Sequence, residues 1–119
     1  MGRSALEDNT TGSNNSAFGY YALGNSTTAS SNTAVGYNSL LTTTTGALNV
    51  GVGYHTLKLN TTGANNVAIG QQAMRENTTG ERNTSVGAAS MIANTTGNYN
   101  VAVGRGALEA NTTASNNTA

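Results

Sequence analysis

Short apolar stretches recur along the chain at a constant interval, and each is flanked by polar residues. In the stretch "NNVAIGQQAM", residues 65–74, the side chains of Val67, Ala68 and Ile69 alternate between branched and small. An alternation with a period of two residues is typical of a β-strand. The pattern therefore predicts a short strand at residues 66–69 and at the corresponding positions of the other stretches.

The interval is 17 residues, and it holds along the whole chain without an insertion or a deletion. We call residues related by this interval a column. Paired threonines mark two adjacent columns, at Thr10-Thr11, Thr27-Thr28, Thr44-Thr45, Thr61-Thr62, Thr78-Thr79, Thr95-Thr96 and Thr112-Thr113. An unbroken short period indicates that each unit contacts mainly its neighbours. The sequence thus predicts one repeat domain over residues 1–119, an all-β parallel β-solenoid of about seven 17-residue coils.

The segment after each predicted strand is harder to assign. Examples are "QQAM", residues 71–74, and "RGAL", residues 105–108. We expect a second strand here, and a single helical turn is the alternative because Gln, Ala, Met and Leu favour helices. The "NTTG" segments, which combine Asn, Thr and Gly, predict the other turn of the coil.

Four columns are predicted to be structural. Glycine after each strand indicates a turn with positive φ or a close approach of the neighbouring backbone, and stacked asparagines predict a ladder of hydrogen bonds between coils. The turn glycines are Gly19, Gly36, Gly53, Gly70, Gly87 and Gly104. The ladder asparagines are Asn15, Asn32, Asn49, Asn66, Asn83, Asn100 and Asn117. The two columns expected to be buried are Val35, Val52, Ile69, Val86 and Val103, and Leu40, Leu57, Met74, Met91 and Leu108.

Composition narrows the classes of partner. Hydrophobic residues make up 36% of the chain and charged residues only 8%, the net charge is zero, and proline and cysteine are absent. Such low charge argues against a disordered chain and against binding of nucleic acid. No apolar run approaches the length that spans a membrane, and no apolar signal segment follows Met1. We therefore predict no nucleic-acid partner and no insertion into a membrane.

Residues with catalytic or metal-binding chemistry are few and scattered. His55 is the only histidine and Asp8 the only aspartate, and the glutamates Glu7, Glu76, Glu81 and Glu109 occupy three different columns. No nucleophile has a plausible base, and no set of ligands for a metal is present. We predict that the chain is not an enzyme and has no catalytic residue, metal or cofactor. One column does suggest a ligand contact, because stacked aromatic residues at Tyr20, Tyr37 and Tyr54 are candidate glycan contacts.

One chain is expected to need support from others. Each coil offers about three apolar side chains, worth roughly 1.5–3 kcal/mol each when buried, whereas ordering 17 backbone residues costs at least about 17 kcal/mol. The first and last coils, near Gly2 and Ala119, are cut midway through the repeat and would present open strand edges. No charged or proline-bearing cap covers these edges. The features predict a segment of a longer fibre, or one that stacks end to end, that packs against copies of itself.

The repeat unit is similar to those of two known groups of proteins. The units "NNVAIGQQAM" and "NYNVAVGRGAL", joined by "NTTG", resemble the head repeats of YadA-like trimeric autotransporter adhesins and, more closely, NTTG-containing repeats of bacteriophage tail-fibre proteins. Asn66, Val67, Ala68, Ile69 and Gly70 match together. The resemblance covers essentially the whole chain. It implies a parallel left-handed β-roll, three chains stacked about a common axis, and a role in attachment to a host.

The sequence-based expectation is therefore a shaft or head segment of a trimeric extracellular fibre that supports host attachment. Its location would be a virion tail fibre or, in the alternative, a bacterial cell surface. Its partners would be copies of itself and a host-surface glycan or protein. An intertwined triple-stranded β-helix is the alternative fold, and an ice-binding β-solenoid with a threonine-rich face is the alternative function.

Overall fold

The fold is a single stack of coils, seen in a computed structural model that describes residues 2–119. Six three-residue strands form one parallel sheet in the order β1 to β6. The strands are β1 (Ser16–Phe18), β2 (Thr33–Val35), β3 (Val50–Val52), β4 (Val67–Ile69), β5 (Thr84–Val86) and β6 (Val101–Val103). A further bridge joins Val101 to Thr118. The predicted all-β parallel β-solenoid of 17-residue coils is confirmed.

Each strand pairs in register with the strand one coil later in the same chain. Ala34 faces Gly51, for example, and Ala68 faces Ser85. This pairing within one chain differs from the intertwined alternative, in which strands of different chains would alternate. The stack measures 36 Å along its axis and 20 by 17 Å across. The sheet therefore runs along the whole length of a narrow rod.

The strands turn only their middle residues inward. Ala34, Ala68 and Ala102 are fully buried, whereas the exposed fractions of Val35, Ile69 and Val103 are 37%, 41% and 62%. The expectation that the column Val35, Val52, Ile69, Val86 and Val103 is buried is therefore wrong for the single chain; Val52 and Val86 are only partly covered. The side chains do alternate as predicted, but the branched ones face outward and the small ones face the interior.

The width of the interior explains which face is buried. Opposite the strands, Ser39 and Leu40 lie so close that a Cβ built on Gly51 would meet the Ser39 Oγ at 2.7 Å and the Leu40 Cγ at 3.3 Å. The middle residue of every strand is accordingly small: glycine, alanine or serine. Branched side chains therefore point outward.

The segment after each glycine is neither a strand nor a helical turn. Three backbone bonds from residue i+3 to residue i follow one another: Ala22 N to Gly19 O at 3.3 Å, Gly24 N to Tyr21 O at 3.1 Å, and Ser26 N to Leu23 O at 3.2 Å. Tyr21 and Leu23, the third residues of the first two turns, both have a φ of 52°. Positive φ at that position is the signature of a type II turn. The expected second strand is thus replaced by consecutive turns.

Bonds between coils hold these turns in place despite their backbone conformation. The Leu23 N–H donates to Ser39 O of the next coil at 3.0 Å, and the Asn38 N–H donates to Tyr20 O of the preceding coil at 3.0 Å. We call residues 20–25 and their counterparts in the other coils the turn layer. The turn layer packs across the narrow interior from the sheet, so each coil is a flattened ring of two layers.

The core lies between these two layers. Leu40, Leu57, Met74 and Met91 are fully buried, and Leu108 is partly buried against the same cluster. Their partners are the small residues of the strands. No helix forms within residues 2–119, and none is therefore long and apolar enough to cross a membrane.

Candidate functional site

The predicted asparagine column forms a continuous ladder through the interior. The Asn66 Oδ1 accepts hydrogen bonds from the backbone N–H and the side-chain Nδ2 of Asn83, at 3.0 and 3.1 Å. The Asn66 Nδ2 donates to Gly80 O at 2.8 Å and to Asn49 Oδ1 at 3.2 Å. Both ends of the amide are used within the protein. This column therefore joins coils and offers no group to a ligand.

A second asparagine ladder lies at the position just before each threonine pair. Asn77 Nδ2 donates to Asn60 Oδ1 at 2.8 Å, and Asn94 Nδ2 donates to Asn77 Oδ1 at 2.9 Å. Sequence reasoning missed this ladder because the column changes to Thr43 and Ser26 in earlier coils. Those two hydroxyl oxygens are buried without a hydrogen-bond partner. The recurrence of asparagine at four successive "NTT" segments was the available signal.

Burial also determines whether the Asn-x-Thr triplets that begin in that column are accessible for N-glycosylation. The sequences beginning at Asn60 and Asn94 match the acceptor pattern for N-glycosylation. Their side chains are fully buried and bonded to the ladder. The folded chain therefore does not present either amide for modification.

The glycine column marks the corner where each strand enters the turn layer. Gly70 has a φ of 128°, and a Cβ at this position would lie 2.7 Å from the carbonyl carbon of Gly87. Both reasons expected for a glycine apply here, positive φ and a close backbone neighbour. The other predicted turn glycines occupy the same corner, with φ between 126° and 141°.

The two threonine columns differ in what their hydroxyls do. The first threonine of each pair bonds along the axis, as Thr61 Oγ1 does to Thr78 O at 3.1 Å. The second threonine, for example Thr62 or Thr79, is exposed in every coil. Only one column of free hydroxyls is presented, and the exposed residues near it include Leu48, Arg82 and Tyr99. The ice-binding alternative needs a flat, regular threonine-rich face, and here the first threonine of each pair uses its hydroxyl in a bond to the next coil.

The tyrosine column is a stack of rings. Tyr37 lies between Tyr20 and Tyr54, with ring centroids 5.4 Å apart on both sides and interplanar angles of 8° and 13°. Both faces of the Tyr37 ring are therefore covered by protein. A glycan could reach its edge and hydroxyl but could not stack on the ring.

A groove runs parallel to the axis beside this ring stack. Its first stretch has a volume of about 310 Å³ and is lined by Tyr20, Tyr21, Asn25, Tyr37, Asn38 and Leu41. A second stretch of about 330 Å³ is lined by Tyr54, His55, Lys58, Leu59, Gln72, Arg75 and Glu76. Both stretches are lined by the same four columns, all of which belong to the turn layer. The groove is thus a repeated feature whose chemistry changes from coil to coil.

The second stretch concentrates positive charge. Lys58 and Arg75 occupy one column in successive coils, and the Arg75 Nε donates to the Glu76 carboxylate at 2.7 Å. The His55 ring stacks on Tyr54 with centroids 3.9 Å apart. Burial, followed by the charges of Lys58 and Arg75, lowers the pKa of His55 below its ordinary value of 6.5. We call this stretch the cationic cleft.

The outward side of the strands forms an uncharged surface, which we call the sheet face. It consists of the first and third residues of β1 to β6. Its exposed members include Phe18, Val35, Ile69 and Val103, and neither column contains a charged residue. The third residues of the strands form a continuous apolar column along the stack, and the first residues beside them are valine, serine or threonine.

None of the remaining arrangement indicates a metal centre. Within residues 2–119, no group of three or more His, Cys, Asp or Glu side chains is placed to hold a metal ion.

Comparison of the chain with protein-family models, curated proteins and solved structures gives no match. The sheet face and the groove are the two surfaces of the described chain that could contact a partner.

Proposed function

We propose that this chain is a non-catalytic structural segment of a trimeric extracellular fibre, of the phage tail-fibre kind, that supports attachment to a host. The observation that carries this proposal is the sheet face. Soluble monomers rarely leave a continuous apolar strip uncovered, and such strips commonly mark contacts between proteins. The strip has the length of the stack, so copies lying side by side could cover it completely.

Charge supports a second copy as the occupant. Across the columns from Asn15 to Gly19 no coil carries a charged residue, so two sheet faces could meet without burying an unpaired charge. The number of three copies comes from the resemblance to tail-fibre and adhesin repeats. The alternative, the head of a bacterial trimeric adhesin, would pack through the same face. A tail-fibre segment would lie on a virion, and an adhesin head on a bacterial cell surface.

Two substitutions in one strand test this role. Ile69→Asp places a carboxylate on the sheet face, where Ile69 is 41% exposed, so the coil should fold while self-association is lost. Ala68→Asp places the same group in the closed interior and should prevent folding. Native mass spectrometry and light scattering would report the assembly, and circular dichroism the fold.

The control is Thr62→Asp, which adds the same charge at an exposed position away from the sheet face. We expect wild type and Thr62→Asp to be trimers and Ile69→Asp to be a folded monomer. A wild-type protein that stays monomeric at high concentration would contradict the proposal. So would an Ile69→Asp trimer as stable as the wild-type trimer.

A further inference from the structure

The cationic cleft shares no residue with the sheet face or with either asparagine ladder. It lies in the turn layer, across the core from the strands. Its chemistry is also unusual for this chain, which has only five Lys and Arg residues and no net charge. Two of those five lie in adjacent coils of a single column.

Stacked like charges oppose each other. Equivalent residues of neighbouring coils lie about 4.8 Å apart at the backbone, so Lys58 and Arg75 repel, and both also disfavour a charge on His55. Arg75 is paired with Glu76, and within residues 2–119 this is the one ion pair that forms. Lys58 therefore contributes positive charge that no carboxylate of the described chain neutralises. A bound anion would relieve the repulsion.

The surroundings of the charges suit a ligand larger than a simple ion. The cleft offers further polar groups at Tyr54 and Gln72, an apolar wall at Leu59, and a volume of about 330 Å³. This volume is within the range of small-molecule sites. In the two preceding coils the same columns line the first stretch, where tyrosines, asparagines and Leu41 replace the charged residues.

We infer that the cationic cleft binds the carboxylate of an acidic saccharide, with Lys58 and Arg75 as the charged contacts. The uncharged stretch beside Tyr37 and Asn38 would receive neighbouring hydroxyl-bearing sugar units. The choice of a saccharide among anions rests on the attachment role proposed above. The charged cleft itself does not depend on that role or on trimer formation.

The single histidine provides a direct probe of occupancy. A carboxylate beside His55 would stabilise its protonated form and raise its pKa in the complex relative to the free protein. Lys58, Arg75 and Glu76 are the charged groups around the ring, and Tyr54 stacks on it. Nuclear magnetic resonance of the His55 ring can follow both binding and titration without interference from another histidine.

The experiment titrates the full chain with 3′-sialyllactose and with a hyaluronan tetrasaccharide, with lactose as the neutral control. We expect at least one acidic sugar to shift the His55 signals saturably and raise its pKa, and lactose to do neither. Lys58→Gln and Arg75→Gln should each weaken that affinity by about tenfold or more, as expected for loss of a charged hydrogen bond. Arg82→Gln removes one positive charge from another side of the coil and should leave the affinity unchanged.

Several results would overturn the inference. They are no response to either acidic sugar, an equal response to lactose, or the same loss in the Arg82→Gln and Lys58→Gln variants. Inorganic phosphate that binds as tightly as the better sugar would show a simple anion site instead. Binding by a protein that remains monomeric would uphold the cleft while contradicting the fibre role, so the two proposals fail separately.

Discussion

At the scale of single residues, the glycine at each corner combines two constraints that can be separated within this chain. Gly70 and Gly104 have nearly the same φ, 128° and 130°. A Cβ on Gly70 would lie 2.7 Å from the backbone of Gly87, whereas a Cβ on Gly104 would meet nothing within 4 Å. The pair therefore isolates the effect of backbone contact from that of backbone conformation.

We expect Gly70→Ala to lower the free energy of unfolding by about 1–3 kcal/mol more than Gly104→Ala does, because only the first forces two coils apart. Chemical denaturation followed by circular dichroism would measure the difference. Slow hydrogen exchange at the Val103 amide, which bonds to Ala119 O, would show that the end coil of the Gly104 variant stays folded. Equal losses in the two variants would mean that conformation alone requires the glycine.

At the scale of elements, the strands and the first asparagine ladder could be predicted from the repeat, whereas the turn layer could not. The strands and the asparagine column were visible because identical residues recur in phase, as at Asn49, Asn66 and Asn83. The turn layer could not be recognised in the sequence, because Leu, Met and Ala favour helices in isolation. In the folded chain, hydrogen bonds to neighbouring coils hold Leu57 at a φ of 48°. These bonds between coils override the local helix propensity.

The second ladder can be extended by one substitution. Thr43→Asn would place an Oδ1 where Asn60 Nδ2 can donate to it, and would remove a buried hydroxyl that has no partner. We expect the free energy of unfolding to rise by roughly 1 kcal/mol, the usual net value of a hydrogen bond.

Thr45→Asn makes the same replacement at an exposed position of the same coil and should change stability little. Thermal and urea denaturation of both variants would measure the effect. A Thr43→Asn protein less stable than the Thr45→Asn protein would show that the ladder does not continue through this coil.

At the scale of the whole molecule, the rod has two distinct sides with different chemistry. The sequence predicted the 17-residue coil and the buried column of leucine and methionine, but it assigned the outward valines and isoleucine to the core. That error has a physical origin, since an alternating pattern does not say which face is inside unless the width of the interior is known. The groove could not be predicted, because its shape depends on the consecutive turns that replace the expected second strand. The 17-residue spacing of Lys58 and Arg75 was the available signal for its charge.

The direction of the bonds between coils governs how the rod responds to force. These bonds run along the 36 Å axis, as the bond from Val67 N to Asn83 O does, so pulling the two ends apart loads one coil at a time. A single chain should therefore peel open in successive steps of about 50–55 Å, the extended length of one coil less its rise. Optical-tweezer extension would show equal steps, and one abrupt opening of the whole chain would contradict this view.

Peeling requires the end coil to swing away from its neighbour, and chains lying alongside would obstruct that movement. A bundle joined through the sheet face must break lateral contacts and axial bonds together before any coil can leave. Bundling would thus turn a filament that unravels from its tip into one that resists tension along its full length.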